Sequence, residues 1–340
     1  MEHLRMNNQT SFITGNLGGI LSGTSYRYLR AIIRLGVNPI LGVFALCAAI
    51  TNVSTFAKMD LRQGITQSLL VLSLSDLVFC MVNGVANSVA VLLWLGSDSI
   101  AGVSLIFLQQ MCMLCVTYCV YISLVVTTTI AVVRCLGVVI PLRFREVVTA
   151  RRQLAAIAVF SCLAVVTPAY HQVSIIINGG RFRQSANKLG RARNEKVFYF
   201  DTFRSTFFYT CLSTIVVSMV FLFLALKKSS EFQAVALSSN RKQNTTREFV
   251  KKEVQIIKMI SMVLTIYVVC SIPYVLLSIM RQTLPEFSLS GRFRFEIDTL
   301  RMIVGVGLQL NVALNTFVYY STNKRFKKII NANLCKLCRK

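Results

Sequence analysis

Long apolar runs separated by short polar segments repeat along the whole chain. A run of about 20 apolar residues is long enough to cross the roughly 30 Å of hydrocarbon in a bilayer as a helix. Because an unpaired backbone group in lipid costs several kcal/mol, each run is predicted to be helical throughout. Seven runs reach this length, and they cover about residues 36–57, 67–94, 103–134, 153–177, 205–226, 256–280 and 302–320.

This pattern predicts an all-α integral membrane protein, a seven-transmembrane helix bundle with a short amphipathic eighth helix. Residues 1–35 are expected to form an extracellular N-terminus, residues 36–320 the transmembrane domain, and residues 321–340 the amphipathic helix and a short cytoplasmic tail. Apolar side chains recur at helical spacing in that last segment and are expected to face the membrane. They are Phe326, Ile329, Ile330 and Leu334.

The distribution of charge predicts the orientation. The chain has 340 residues, of which 54% are hydrophobic, and a formal net charge of +24. If the C-terminus is inside, 22 of the 37 basic residues lie in the inner loops and tail, in keeping with the positive-inside rule. We therefore expect a multi-pass protein of the plasma membrane, surrounded by the lipid bilayer, with its N-terminus outside.

Two functional classes are disfavoured by the same composition. Nucleic-acid binding usually needs a solvated basic face with interleaved aromatic residues, and the basic residues here lie in short blocks between spans. An enzyme is not expected, since no nucleophile–base pair stands out and the only histidines are His3 and His171.

Polar side chains inside the spans mark candidate functional positions, because burying them in lipid is costly. Asp76, in the segment LSLSDL, is the only acidic residue deep in any span. Asn311 and Asn315 lie four residues apart in the last span and share one helix face. Ser123 precedes Arg134 by about three turns and lies on the same face of the third span.

The motifs around these residues resemble those of rhodopsin-like G-protein-coupled receptors, in the right order over residues 36–330. The matching positions are Asn52, Asp76, Arg134, Pro273, Asn315 and Tyr319. Several positions depart from the family's pattern, among them Val133 in place of the acidic residue before Arg134, Ser271 in place of a tryptophan, and Thr316 in place of a proline. The switch parts are thus present but loosely restrained, and we expect appreciable basal signalling.

The resemblance implies an activation switch, whose members are Arg134, Glu253, Pro273, Asn315 and Tyr319. In such receptors the arginine at the inner end of the third helix contacts a heterotrimeric G protein, and Arg134 stands at that position. Glu253 stands where the family has an acidic partner for this arginine. An Arg–carboxylate pair is strong when partly buried, so it would tie the third span to the sixth at rest.

The resemblance also implies a sodium ion, held with waters by Asp76, Ser123, Asn311 and Asn315. Hard oxygen ligands suit such an ion. A hydrogen-bonded polar cluster without an ion is the alternative interpretation. No other cofactor is expected.

An outer ligand pocket is expected between the third, fifth, sixth and seventh helices. The residues placed there by register are Thr117, Tyr274, Arg301 and Gln309. The outer segments carry 15 basic residues against 7 acidic ones, which favours an anionic small-molecule or peptide ligand. Simple surface charge near the lipid headgroups is the alternative.

The segment from Thr51 to Thr66, with the LSLSD that follows, resembles the chemosensory receptors of gastropod molluscs. A neuropeptide receptor of the same fold is the nearest alternative. A channel or transporter is disfavoured, because such proteins tend to show several intramembrane charges or inverted repeats.

Three covalent features are also predicted or left open. Asn8 begins an Asn-Gln-Thr glycosylation sequon on the expected outer side. Cys335 and Cys338 follow the amphipathic segment and are candidates for palmitoylation. Cys112 and Cys211 could form a disulfide or simply pack as apolar side chains.

Overall fold

Helices account for almost all of the chain that the computed structural model describes. The described residues are 21–61, 64–97, 99–100, 103–139, 149–179, 190–236, 244–284, 287 and 292–338. Within these ranges the side chains are described except at 100, 103, 167–201, 204, 228–253, 334 and 336–338.

Eight helices lie in the described ranges. They are α1 Gly23–Phe56, α2 Gly64–Trp94, α3 Leu105–Val139, α4 Ala150–Gly179, α5 Gly190–Ala236, α6 Asn244–Thr283, α7 Arg294–Thr322 and α8 Lys324–Cys338. Between α2 and α3, β1 Ser99–Ile100 and β2 Val103–Ser104 form a minimal antiparallel hairpin.

Six helices of the described chain are long and apolar enough to span a membrane. These are α1, α2, α3, α7, the part of α5 at Ser205–Lys227 and the part of α6 at Val254–Thr283. The remaining long helix, α4, has 30 residues. At 1.5 Å per residue this length also crosses the roughly 30 Å of hydrocarbon. The predicted all-α seven-helix membrane bundle is confirmed.

The helices pack as a closed ring around α3. Contacts join α1 to α2, α2 to α4, α4 to α5, α5 to α6, α6 to α7, and α7 back to α1. In addition, α3 contacts α2, α4, α5 and α6, which makes it the central helix. Polar residues on α3 therefore face most of the other helices, and this positions the site described below.

The burial pattern is that of a protein surrounded by lipid. The largest buried cluster joins side chains from most of the helices, among them Leu72, Leu124 and Leu264. At the same time, large apolar side chains lie on the outside, such as Phe44 at 66% and Phe317 at 69% exposure. Such a surface would be unfavourable in water but suits hydrocarbon.

The first helix begins at Gly23 rather than at about residue 36 as the hydropathy predicted. The Ser22 hydroxyl accepts a hydrogen bond from the Ser25 backbone N–H at 3.2 Å and so caps this early start. Tyr26 and Ile33 then pack against Met302 of α7. Tertiary packing therefore extends the helix beyond the apolar run that crosses the membrane.

The eighth helix is confirmed, but two of its apolar residues pack against the bundle instead of facing only the membrane. Phe326 is fully buried, with ring centroids 5.2 Å from Phe56 and 5.7 Å from Tyr319. It therefore anchors α8 to the bundle instead of facing lipid. Ile330 also packs on the main core cluster, while the side chain of Leu334 lies outside the described residues.

Candidate functional site

A buried polar cluster lies at the centre of the bundle, where α2, α3 and α7 meet. Asp76 is 4% exposed, and the Ser123 hydroxyl donates a hydrogen bond to its Oδ1 at 3.5 Å. Asn315 also hydrogen-bonds to the Asp76 side chain. Asn311, one turn earlier on α7, is 5% exposed. The structure thus brings together four polar residues that the sequence placed on three helices.

This cluster contains the donors that a hard cation needs. A cavity of about 20 Å³ lies against Asp76, Ser123 and Asn311, which is room for about one water-sized guest. The Oδ1 atoms of Asn311 and Asn315 are buried and have no described hydrogen-bond partner. A carboxylate, a hydroxyl and two carbonyl oxygens form an all-oxygen set, so these residues fit a sodium ion.

Arg134 lies near the C-terminal end of α3. This end of the bundle is called the inner end below, and the opposite end is called the outer end. Arg134 is only 8% exposed, and Val133 beside it is equally buried. Glu253, its expected partner, belongs to α6, but the Glu253 side chain lies outside the described residues.

Tyr319 joins α7 to α1 and α8. Its ring is 1% exposed and meets Phe56 edge-on at a centroid distance of 5.1 Å. Its hydroxyl is buried, with no hydrogen-bond partner among the described residues. A buried hydroxyl without a partner is unfavourable by about 1–3 kcal/mol. In this arrangement Tyr319 is therefore held by apolar packing.

Pro273 interrupts the hydrogen-bond ladder of α6 near a close approach of α7. Proline has no N–H and clashes with the preceding turn, so it weakens the helix here. A Cβ atom added at Gly307 of α7 would lie 2.8 Å from the carbonyl oxygen of Cys270. Ser271, which replaces the family's tryptophan, is buried and donates to the Tyr267 carbonyl at 2.7 Å.

Two contacts at the inner ends of the helices were missed from the sequence. The Gln255 amide of α6 donates a hydrogen bond to the Thr322 carbonyl, at the last residue of α7. Phe56, at the end of α1, supports both Tyr319 and Phe326. Gln255 is a polar residue at the edge of an apolar run, and this position was a signal that it needs a partner.

The four residues predicted to line the ligand pocket have different neighbours. Tyr274 of α6 packs on Phe208 of α5, with centroids 4.3 Å apart. Gln309 is 2% exposed and its amide nitrogen lies 3.9 Å from the position of a Cβ at Gly42 in α1.

The other two predicted pocket residues are Thr117 and Arg301. The Thr117 hydroxyl donates to the Met113 carbonyl at 2.8 Å within its own helix. Arg301 lies on α7 and is exposed. The ligand-binding role of all four residues stays a prediction.

A second polar cluster joins the outer ends of α1 and α7, and it was not anticipated. The Tyr26 hydroxyl donates to Asp298 Oδ2 at 2.6 Å, and Arg34 forms an ion pair with the same carboxylate at 3.8 Å. The Leu21 backbone N–H donates to Glu296 Oε1 at 2.9 Å. These bonds hold the segment before the membrane-spanning part of α1 against α7.

Only some of the predicted modification sites lie among the described residues. Asn8 and the side chain of Cys338 lie outside the described residues. Cys335 is exposed on α8, as a lipidated thiol would need to be. Cys112 and Cys211 are both free thiols, so they pack without a disulfide.

The seven-helix architecture and the polar cluster define a class of membrane receptor. A family model for the seven-transmembrane receptors of the rhodopsin family matches residues 47–319. The chain therefore belongs to that family, which is one of receptors and not of enzymes. It is a multi-pass membrane protein.

Among individual proteins, the chain is similar to lysophosphatidic acid receptor 4. It is 25% identical to the mouse (Mus musculus) protein over 220 residues, which is 63% of this chain and 55% of that protein. Identity to the human (Homo sapiens) protein is 24% over 220 residues, covering 63% of this chain and 56% of that protein. The chain thus spans about half the length of the curated relatives it matches.

Proposed function

We propose that this protein is a plasma-membrane receptor that binds an extracellular ligand and activates a heterotrimeric G protein. The observation that carries the proposal is the buried polar cluster around Asp76, together with Arg134 and Tyr319 toward the inner end of the bundle. The Oδ1 atoms of Asn311 and Asn315 and the Tyr319 hydroxyl have no hydrogen-bond partner among the described residues. Such atoms make one packing arrangement only marginally preferred over another, which is what a conformational switch requires.

The switch would work by a shift between two populations. In the arrangement seen here, Gln255 ties the inner end of α6 to Thr322 of α7, and Tyr319 packs under Phe326. A ligand that binds better when α6 leaves α7 favours the other arrangement. The weakened ladder at Pro273 provides the hinge. Movement of α6 then exposes Arg134 to the G protein.

An acidic ligand is supported by two independent observations. The outer segments carry 15 basic and 7 acidic residues, so the outer face attracts anions. The relatives are receptors named for lysophosphatidic acid, which bears a phosphate group. An acidic amphiphile is therefore favoured here over a peptide, and the neuropeptide alternative becomes weaker.

We retain a chemosensory role as the proposed biological context. It rests on the resemblance of the segment 51–66 to molluscan chemosensory receptors. In this context the N-terminus, with Asn8 glycosylated, faces the outside. Cys335 and Cys338 carry palmitoyl chains that hold α8 on the inner leaflet. Acyl-exchange labelling would test the lipidation. The wild type should be labelled, whereas the double variant Cys335→Ser/Cys338→Ser should not be.

The test of function is a second-messenger screen in cells that express the receptor with each class of G protein. Lysophosphatidic acid and other acidic amphiphiles are compared with amines of similar size. We expect a response to acidic compounds that disappears in Arg134→Ala and survives in Arg151→Ala, an exposed arginine at the inner end of α4. A response restricted to amines would contradict the ligand class. A response unchanged in Arg134→Ala would contradict the mechanism.

A further inference from the structure

A basic cavity lies outside the bundle core, where the end of α1 meets α8. Its volume is about 240 Å³, and it is distinct from the small cavity beside Asp76. Lys58 closes it on one side, and Arg325 and Lys328 line it from α8. The proposed activation mechanism makes no use of this cavity.

The walls of the cavity are held in place by specific contacts. The Asn323 side chain caps α8 by accepting hydrogen bonds from the backbone N–H groups of Arg325 and Phe326, both at 3.1 Å. Burial of the Phe326 ring then fixes the first turn of α8 to the bundle. The Lys58 ammonium donates a hydrogen bond to Asn333 Oδ1 of α8 at 2.9 Å and so joins the end of α1 to α8. The spacing between the two basic walls is therefore set by the fold.

The lining has the chemistry of an anion site with an apolar border. Among the described lining residues, three are cations and one, Asp60, is a carboxylate, so the formal charge is near +2. Thr66 adds a hydroxyl, while Met59 and Ile329 add apolar surface. A phosphomonoester carries about −1.5 to −2 charges near neutral pH, together with several strong acceptor oxygens. Its charge is complementary to this lining.

The position of the cavity relative to the membrane favours a lipid headgroup as the source of the phosphate. Phe56 ends the apolar part of α1, and α8 runs on after α7 with Arg325 and Lys328 exposed. An amphipathic helix of this kind lies in the plane of the membrane interface. In the orientation proposed above, the cavity opens at the level of the headgroups of the cytoplasmic leaflet. Basic pockets at this level attract anionic lipid headgroups.

We propose that this cavity binds the phosphomonoester headgroup of an anionic lipid of the cytoplasmic leaflet. The phosphate lies between Lys58 and the two basic side chains of α8, and the acyl chains continue along Met59 and Ile329 into the bilayer. Bound lipid would hold α8 against α1. Because Phe326 and Tyr319 are in contact, it would also favour the packing of Tyr319 seen here.

The test measures lipid preference of the full-length receptor in nanodiscs. Fluorescent phosphatidylinositol 4,5-bisphosphate is compared with phosphatidylserine at equal total lipid charge. The cavity variant is Arg325→Ala/Lys328→Ala. The matched control is Lys324→Ala/Lys327→Ala, which removes the same charge from exposed positions of the same helix that do not line the cavity.

The two variants are expected to behave differently. One basic side chain near an anionic surface changes binding by about five-fold, so two should change it by about 25-fold. We expect the cavity variant to lose its preference for the phosphomonoester lipid by about ten-fold or more. The control should bind both lipids less well but keep the preference, because it lowers only general surface attraction.

Three outcomes would overturn the proposal. A wild type without preference at equal charge would mean that no phosphomonoester site exists. Equal loss of preference in both variants would mean a diffuse basic surface. In a third arm, soluble inositol trisphosphate competes with the lipid. Equal affinities for the lipid and for soluble inositol trisphosphate would contradict a membrane source. Much weaker binding of the soluble headgroup would support it. None of these measurements needs an extracellular ligand or a G protein, so their outcome is separate from the test of the proposed function.

Discussion

The Ser123 hydroxyl donates a hydrogen bond to Asp76 Oδ1 at 3.5 Å and so joins α3 to α2 at the centre of the bundle. Both residues are at least nine-tenths buried. A buried carboxylate is strongly unfavourable unless other groups stabilise its charge. The Asp76 carboxylate therefore needs the polar groups around it, and the carbonyl oxygens of Asn311 and Asn315 belong to the same cluster as Ser123.

Replacing this carboxylate should abolish any effect of sodium. We expect basal nucleotide exchange of the wild type to fall when choline chloride is replaced by sodium chloride. The fall occurs because an ion held by Asp76 favours the packed arrangement. Asp76→Asn should respond equally to both salts. Ser73→Ala should respond like the wild type, because the Ser73 hydroxyl donates to the Leu69 carbonyl of its own helix. A wild type that ignores sodium would favour the ion-free cluster.

Loss of the inner tie between α6 and α7 should raise basal activity. Gln255→Ala removes the hydrogen bond to the Thr322 carbonyl. One hydrogen bond contributes about 0.5–1.5 kcal/mol, so the active population should rise by about two- to ten-fold. Thr265→Ala is the control, because its hydroxyl bonds within α6 and to Met219 of α5. Ligand-free nucleotide exchange measures both. Equal basal exchange rates in Gln255→Ala and the wild type would show that this hydrogen bond does not restrain α6.

The close approach of α7 to α6 should tolerate no extra methyl group at Gly307. Gly307→Ala places a Cβ 2.8 Å from the Cys270 carbonyl oxygen, whereas a Cβ at Gly305 meets nothing within 4 Å. We expect Gly307→Ala to lower the free energy of unfolding by about 1–3 kcal/mol. Gly305→Ala should be neutral or raise it by up to about 1 kcal/mol. Thermal unfolding in nanodiscs measures the stability of both variants. Equal losses of stability in Gly307→Ala and Gly305→Ala would contradict this packing of α7 on α6.

The sequence was sufficient for some features because their physical cause is local. Long apolar runs require helices in lipid, and the single deep acid, Asp76, required polar partners. The choice of Ser123 and Asn315 as those partners came from the resemblance to the receptor family. The early start of α1 at Gly23 could not be predicted, since it depends on packing of Tyr26 against another helix.

The inner contacts were missed for a related reason. Phe326 fits the apolar face of an amphipathic helix, and only the three-dimensional arrangement shows that this face meets Phe56 and Tyr319. The Gln255 bond likewise joins residues 67 positions apart in the chain. Periodicity identifies which face of a helix is apolar, but it does not identify what that face contacts.

The outer cluster gives a prediction about the start of α1. Tyr26→Phe removes the 2.6 Å hydrogen bond to Asp298 while keeping the ring that stacks on Phe295. We expect the free energy of unfolding to fall by about 1–2 kcal/mol, because a hydrogen bond to a carboxylate is lost. Tyr28→Phe, at 74% exposure, should change it little. Equal stability of Tyr26→Phe and the wild type would show that the segment before the membrane is not held by this bond.

The central claim, coupling to a heterotrimeric G protein through Arg134, is tested most directly by nucleotide exchange with purified components. Full-length receptor in nanodiscs is mixed with each class of G protein without added ligand. The account predicts measurable basal exchange on at least one class. It also predicts a loss of about ten-fold or more in Arg134→Ala, because a charged contact with the partner is removed, with little change in Arg151→Ala. Folded receptor that catalyses no exchange on any class, or equal exchange by Arg134→Ala and the wild type, would contradict it.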